Sequence, residues 1–290
     1  MFEWLNEVRE YIIEQEPELL QWFDVYIAEA KFGRQYLDDD LRTLSQEANI
    51  LEVGAGALIL SCQLVREGYH VTALEPTGSG FSHLDKLRML VIDKAIADNC
   101  SPTLLTCPAE RLFIQNQFDY AFSINVMEHV TDVTQVLNTV GQSLICGGKY
   151  RFTCPNYSFP YEPHFNCVTL FSKSLTAYWF VNKIFKNQSL PDPKGMWESL
   201  NWITSKKIRQ YGKNKYNLNI QLHKTFVILF ERMLNDSLFS QRRSRYVANV
   251  IVILVKLRLH HLIGLLPVSI HPMIDCSIVR KYEVLEKEVL

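Results

Sequence analysis

The stretch ILEVGAGALIL, residues 50–60, joins three kinds of local structure in eleven positions. Ile50, Leu51 and Val53 form a short apolar run of the sort that makes a buried strand. Gly54 and Gly56 interrupt the run, and Ala57-Leu58-Ile59-Leu60 open a helix. A strand that turns through glycines into a helix carries backbone N–H groups up to the space above the sheet. Without a Cβ the chain bends sharply at glycine, and a ligand can approach the backbone closely. Taken alone, the same pattern also fits a structural strand-to-helix turn.

Outward from this point the sequence alternates short apolar runs with longer helical segments, the signature of a parallel sheet with crossover helices. Strands are predicted near 49–53, 70–75, 103–107, 118–123 and 148–154, with helices near 57–67, 81–99 and 132–145 between them. Gly147-Gly148 reads as a tight turn into the fifth strand, and Asp119 opens the fourth. Upstream, Trp4, Leu5, Val8, Tyr11 and Ile12, then Leu19, Leu20, Trp22 and Phe23, recur at helical spacing around a break at Pro17. Past Pro155 the order loosens. A loop, PNYSFPYEPHF, precedes an aromatic helix at 172–185, a strand and basic, apolar helices over 222–262, and a last strand from Ile274 to Tyr282.

Glu75 ends the second strand, nineteen residues beyond Gly56. An acid at that strand tip is placed to accept hydrogen bonds from both hydroxyls of a ribose, so a nucleoside cofactor is expected. A dinucleotide needs a third small residue three positions after the second glycine, to let helix and strand pack beside a pyrophosphate. That position holds the bulky Ile59.

The ordered blocks resemble those of class I S-adenosylmethionine-dependent methyltransferases, in particular small-molecule and ubiquinone-biosynthesis types. LEVGAG resembles the first motif of that family and VTALEP the second. CPAERL is similar to its adenine-side turn, FDYAFSINVMEHV to its fourth-strand motif and GGKYRFTCPN to its fifth strand. The resemblance covers about residues 48–160. It implies an α/β fold: a Rossmann-like, mostly parallel seven-stranded sheet flanked by helices, with N-terminal helices and a C-terminal helical insertion before the last strand. Three portions are expected: an N-terminal helical cap at 1–47, a cofactor-binding core at 48–160, and substrate-side helices, the insertion and closing strands at 161–290.

The implied cofactor is S-adenosyl-L-methionine. Glu52, Gly54, Ala55 and Gly56 would lie along its methionine and ribose, and Glu75 would hold the ribose hydroxyls. Pro108, Ala109 and Glu110 would flank the adenine, and Asn125 and Val126 would lie near the sulfonium. The family often carries Asp where this chain has Pro108. CPNY at 154–157 is superficially similar to the NPPY-type motif of amino-group methyltransferases, but it follows the fifth strand and not the fourth.

Methyl transfer from a sulfonium needs alignment above all, and a base only where the acceptor must lose a proton. His129 sits just past the fourth strand, where an imidazole serves either as that base or as a structural side chain orienting the loop. Glu128 carries the same two readings. His164 and Glu162, in the proline-stiffened loop after the fifth strand, are the alternative bases.

Charge and cysteine content set outer bounds. Apolar residues make up 48% and charged residues 21% of 290, with a net charge of −1, which argues against a nucleic-acid coat. Yet residues 1–50 hold twelve acids against four bases, and residues 201–262 twelve bases against two acids, a split that marks either a partner surface or internal pairing. Seven cysteines show no CxxC pair and no neighbouring His at metal-ligand spacing, so reduced thiols, a cytoplasmic setting and no metal are expected. The acidic N-terminus resembles no signal peptide. The apolar tract from Val247 is broken by Asn249, Lys256, Arg258, His260 and His261, too soon for a spanning helix. The basic 206–261 region would either rest on an anionic membrane and gather a small, apolar or lipid-linked acceptor, or pack as helices with a solvated face. RNA or protein as acceptor is the runner-up, and a non-catalytic scaffold the reading from a different class.

Overall fold

The computed structural model describes residues 3–76, 82–170, 172–187, 190, 192–213, 217–241 and 245–281. Seven strands form one sheet: β1 (Asn49–Val53), β2 (His70–Leu74), β3 (Thr103–Leu105), β4 (Phe118–Ile124), β5 (Leu144–Pro155), β6 (Leu218–Leu222) and β7 (Met273–Arg280). Their spatial order is β3-β2-β1-β4-β5-β7-β6. β3, β2, β1, β4 and β5 run parallel, and β7 lies antiparallel between β5 and β6. The order reverses between β1 and β4, which opens a crevice above their carboxyl ends.

Helices α1 (Trp4–Gln15), α2 (Leu20–Tyr36) and α3 (Asp38–Leu41) precede the sheet, with Pro17 starting a short 3-10 turn between the first two. Crossovers follow as α4 (Ile59–Arg66), α5 (Ser82–Ala97) and α6 (Val133–Ser143). Between β5 and β6 lie α7 (Lys173–Trp179), α8 (Val181–Phe185), α9 (Pro193–Ser199) and α10 (Ser205–Lys213). Between β6 and β7 lie α11 (Phe226–Asn235), α12 (Ser237–Gln241), α13 (Arg245–Lys256) and α14 (His260–Ile263). None of the described helices is long and apolar enough to cross a membrane.

Alternate strand residues feed opposite faces of the sheet. Leu51 and Val53 join a core with Val136, Leu137 and Val140 of α6 and Ile208 of α10, whereas Ile50 and Ala73 join Trp4, Val8, Phe23, Leu64 and Leu87 on the other side. Helices α11, α12 and α13 assemble a third, separate cluster of Phe226, Phe230, Met233, Phe239 and Ile251.

Four boundaries depart from expectation, the first being the strand expected from 222 onward, which lies at Leu218–Leu222 as β6. Gly147 and Gly148 do not turn into β5, which already starts at Leu144. The register jumps from Phe118↔Leu144 to Tyr120↔Lys149, leaving Ile145 to Gly148 as a bulge opposite Asp119. Gly147 has φ +83°, and a Cβ on Gly148 would stand 2.9 Å from the Ile145 carbonyl oxygen and 3.0 Å from that of Phe118. The aromatic helix expected at 172–185 breaks at Phe180, whose φ and ψ of −111° and 26° leave the helical range. The last strand ends at Arg280, Tyr282 lying outside the described residues.

Polar side chains tie the N-terminal helices to the sheet. Asp40 accepts from Lys149 Nζ (2.5 Å), Tyr120 Oη (2.9 Å) and Arg151 Nη1 (3.1 Å), and Arg151 Nη2 reaches Asp275 at 3.0 Å. Burial works against ionisation of Asp40, but these donors hold its carboxyl below the ordinary range. The acidic and basic ends of the chain also meet directly, because buried Arg232 of α11 lies 2.9 Å from Glu29 of α2 and over the ring of Phe32.

Candidate active site

A cavity of about 480 Å³ opens above the carboxyl ends of β1, β2 and β4, within the usual range for a small-molecule site. Gly54 shapes its floor. Its φ is +75°, its N–H donates to the Leu74 carbonyl (2.7 Å), and a Cβ there would lie 2.4 Å from Val126 Cγ2. Only glycine lets the β1 turn pass so close to the turn after β4. Gly56 also has positive φ, +52°, and its N–H donates to Glu75 Oε2 at 2.8 Å, so the loop and the tip of β2 hold each other.

Each residue expected beside the cofactor lines this cavity. Glu52, Gly54, Ala55, Gly56 and Glu75 come from the first two strand tips, Pro108, Ala109 and Glu110 from the turn after β3, and Asn125 and Val126 from the turn after β4. Asn125 has φ +56°, the left-handed conformation that asparagine tolerates better than most residues. Glu110 has a further task. Its Oε1 accepts from the backbone N–H of Thr131 and of Asp132, at 2.8 and 3.2 Å, clamping the β3 turn to the loop before α6. Tyr26, Glu29 and Ala30 of α2 and Leu84 of α5 also line it. Sequence reasoning missed these four, since a helix face that borders a cavity looks like any other amphipathic face.

The two buried acids of the floor are unusually easy to protonate. Burial, opposed by a short hydrogen bond from Ser61 and reinforced by nearby Glu75, pushes the Glu52 carboxyl up to about 8. Glu75 is raised as well by burial, against the pull of the Gly56 N–H and of Arg88, whose Nη1 lies 3.8 Å from Oε1.

At one edge of the cavity stands His129, the one member of the expected base set that lines it; Glu162 and His164 lie behind it. The two imidazoles meet edge to face with ring centroids 5.3 Å apart, so the alternatives form one cluster and not two sites. His129 Nδ1 lies 2.8 Å from Ser199 Oγ, which itself donates to the Met196 carbonyl at 2.8 Å. His164 Nδ1 lies 2.6 Å from Glu162 Oε1. Glu162 is wholly buried and also accepts from the Phe165 N–H (2.6 Å) and Tyr157 Oη (3.3 Å). Burial opposes its ionisation, yet His164 and these donors hold its carboxyl below the ordinary range.

Glu128 is also wholly buried, and neither carboxylate oxygen has a hydrogen-bond partner. Burial pushes its carboxyl up to about 7. Burial first, and then the positive character of His164 and Lys173, pushes His129 down to about 3, so its ring is neutral at physiological pH. Asn156 of the CPNY tetrapeptide is structural: its Nδ2 donates to the carbonyls of Ser269 (3.1 Å) and His271 (2.8 Å).

Residues 51–152 match the family model described as a methyltransferase domain. The chain is 41% identical over 278 residues to uncharacterized protein Rv1509 of Mycobacterium tuberculosis (strain H37Rv), a relationship covering 96% of this chain and 94% of that one. Among solved structures, phosphoethanolamine N-methyltransferase 2 of Haemonchus contortus in complex with S-adenosyl-L-methionine superposes with a TM-score of 0.51 at 15% identity, over 86% of this chain. The match spans 52% of that longer protein. An S-adenosylmethionine-dependent methyltransferase from Mesorhizobium loti superposes with a TM-score of 0.50 at 12% identity, over 82% of this chain and 94% of that one. The sheet order, the glycine-bent crossing and the family match agree, and the chain belongs to the class I S-adenosylmethionine-dependent methyltransferases.

Proposed function

We propose that the enzyme transfers the methyl group to an oxygen of a small, apolar or lipid-linked acceptor. The observation that carries this reading is the group of polar side chains at the edge of the cavity, His129 backed by Glu128 and His164, which can draw the proton from an acceptor directly or through a bound cation. Such a group is needed when the acceptor is a hydroxyl, which must lose its proton. Exposed apolar side chains on the inserted helices, Ile253, Leu257, Leu262 and Leu265, interleaved with Lys256 and Arg258, support an acceptor gathered from an anionic lipid surface.

The cavity fits the cofactor on two counts: the open space at Gly56, where a Cβ would meet no protein atom within 4 Å, and the buried Glu75 carboxylate at the tip of β2. When bound, S-adenosylmethionine supplies an electrophilic methyl group on sulfur. Glu75 would accept from the ribose hydroxyls, and Glu52 with Ala55 and Gly56 would border the methionine portion. Pro108, Ala109 and Glu110 would flank the adenine. Asn125 and Val126 would border the sulfonium, and the His129 cluster would receive the acceptor hydroxyl. Holding donor and acceptor in line accounts for most of the acceleration, because the electrophile is already reactive.

The test is tritiated-methyl transfer to fractionated cell extract, with Gly54→Arg as control. Label should appear in the lipid or small-molecule fraction with the native enzyme only. Label confined to RNA or protein would overturn the acceptor, and calorimetry showing no S-adenosylmethionine binding would overturn catalysis altogether.

A further inference from the structure

Behind the cavity edge, two imidazoles and a buried carboxylate from separate loops converge. Ser199 gives its hydroxyl hydrogen to Met196, so it accepts from His129, and His129 therefore carries its proton on Nδ1. Its Nε2 then presents a lone pair, 3.9 Å from Glu128 Oε1, too far for a hydrogen bond. His164 Nδ1 lies 2.6 Å from the Glu162 carboxylate and is its donor, so Nε2 is the nitrogen left to ligate whenever the ring is neutral. One ligand atom from each of Glu128, His129 and His164 lies within 4.8 Å of the others. Potential ligand atoms thus converge from three side chains, one of them a fully buried carboxylate with neither oxygen hydrogen-bonded.

We infer that Glu128, His129 and His164 form a binding site for one divalent first-row transition-metal cation at the edge of the methyl-transfer cavity. Two imidazoles and one carboxylate suit Zn²⁺, Co²⁺ or Mn²⁺, and leave coordination positions open. Ligands about 2.1 Å from an ion stand roughly 3 to 3.5 Å apart, so side-chain adjustments of around an ångström close the present spacing. The outer partners are those such a site needs: Glu162 and Ser199 hold the two rings in the ligating tautomer, and Glu162 adds a second negative charge behind the first.

The spacing escapes a search for neighbouring ligands in sequence. Glu128 and His129 follow β4, and His164 follows β5; only the parallel pairing of those two strands brings them together.

The role of the cation rests on the oxygen-acceptor reading above, but its binding does not. With an acceptor hydroxyl in an open position, the cation lowers the affinity of that oxygen for its proton, which passes to solvent water. An oxygen lone pair then forms the new O–CH₃ bond while the S–CH₃ bond breaks, its electron pair staying on sulfur. His129, neutral and ligating, orients the cation and takes no proton.

The experiment uses the full chain, stripped with a chelator and titrated with Co²⁺ or Mn²⁺ alone, followed by calorimetry and, for Co²⁺, visible absorption. The native protein should bind one equivalent. Glu128→Gln and His164→Ala should each weaken binding by about 100-fold or more, and Glu162→Gln by about 10- to 100-fold. A His260→Ala/His261→Ala variant should bind normally, and S-adenosylmethionine binding should survive in every variant as proof of folding. Absence of saturable cation binding by the native chain, or unchanged affinity in both Glu162→Gln and His164→Ala, would overturn the site. Cation binding with label found only in RNA or protein would keep the site and remove the oxygen acceptor.

Discussion

Single residues carry most of what the sequence made legible about the site. Gly54 was readable because no other residue allows positive φ and a 2.4 Å Cβ approach to Val126 together. Gly54→Ala should therefore cost about 1 to 3 kcal/mol, seen as a lowered thermal midpoint, and weaken S-adenosylmethionine binding in calorimetry. Glu75 was legible from its place at a strand tip. Glu75→Gln should weaken cofactor binding by about tenfold or more, from lost charge-assisted hydrogen bonds, while leaving the acceptor KM unchanged. The environment of Glu52 was not legible, since it depends on how deeply the fold buries a carboxylate beside another. Folded Glu52 holds its proton up to about 8 against an ordinary value of 4.5, so the folded state binds more protons than the unfolded one across that window. This residue's contribution then turns against folding as pH rises through it. Thermal midpoints from pH 5 to 8.5 should fall less steeply for Glu52→Gln than for the native protein, and identical slopes would contradict this.

At the scale of elements, periodicity recovered the strands and crossovers, because burial imposes repeats of two and 3.6 residues on the sequence. It failed where a contact from another element decides the shape. The bulge in β5 exists because β4 passes the Phe118 carbonyl beside Gly148, information absent from residues 144–148 themselves. Likewise, no local signal joins His129 to His164, although each was separately readable as a chemical side chain in a loop. The contact of α11 with α2 is another such case. Arg232, buried between Glu29, Asp236 and the rings of Phe32 and Phe239, should resist substitution: Arg232→Met should destabilise by about 1 to 3 kcal/mol and raise hydrogen exchange selectively in α11 and α12.

For the whole molecule, the segregation of acid and base was visible in composition, but its use was not. Part of it is internal, through Arg232 and Glu29, and part forms the basic, apolar exterior of the inserted helices. If that exterior meets an anionic bilayer, Leu262→Asp combined with Leu265→Asp should reduce co-sedimentation with phosphatidylglycerol vesicles by about tenfold or more. The same pair should leave cofactor affinity intact, and unchanged sedimentation would exclude these side chains from membrane contact.

The way the inserted helices leave and rejoin the sheet has an architectural consequence. The chain departs after Leu222 and returns at Met273, and Leu222 pairs with Cys276 on the neighbouring strand. Thr225 N–H donates to His271 Nδ1 at 2.9 Å and Thr225 Oγ1 to the Met273 carbonyl at 3.2 Å, stapling the two ends side by side. The helices between them are thus inserted on a hairpin stem and braced against α2 through Arg232 and Glu29. Exchanging that insertion between related chains should carry acceptor preference with it, while the chemistry stays with the host.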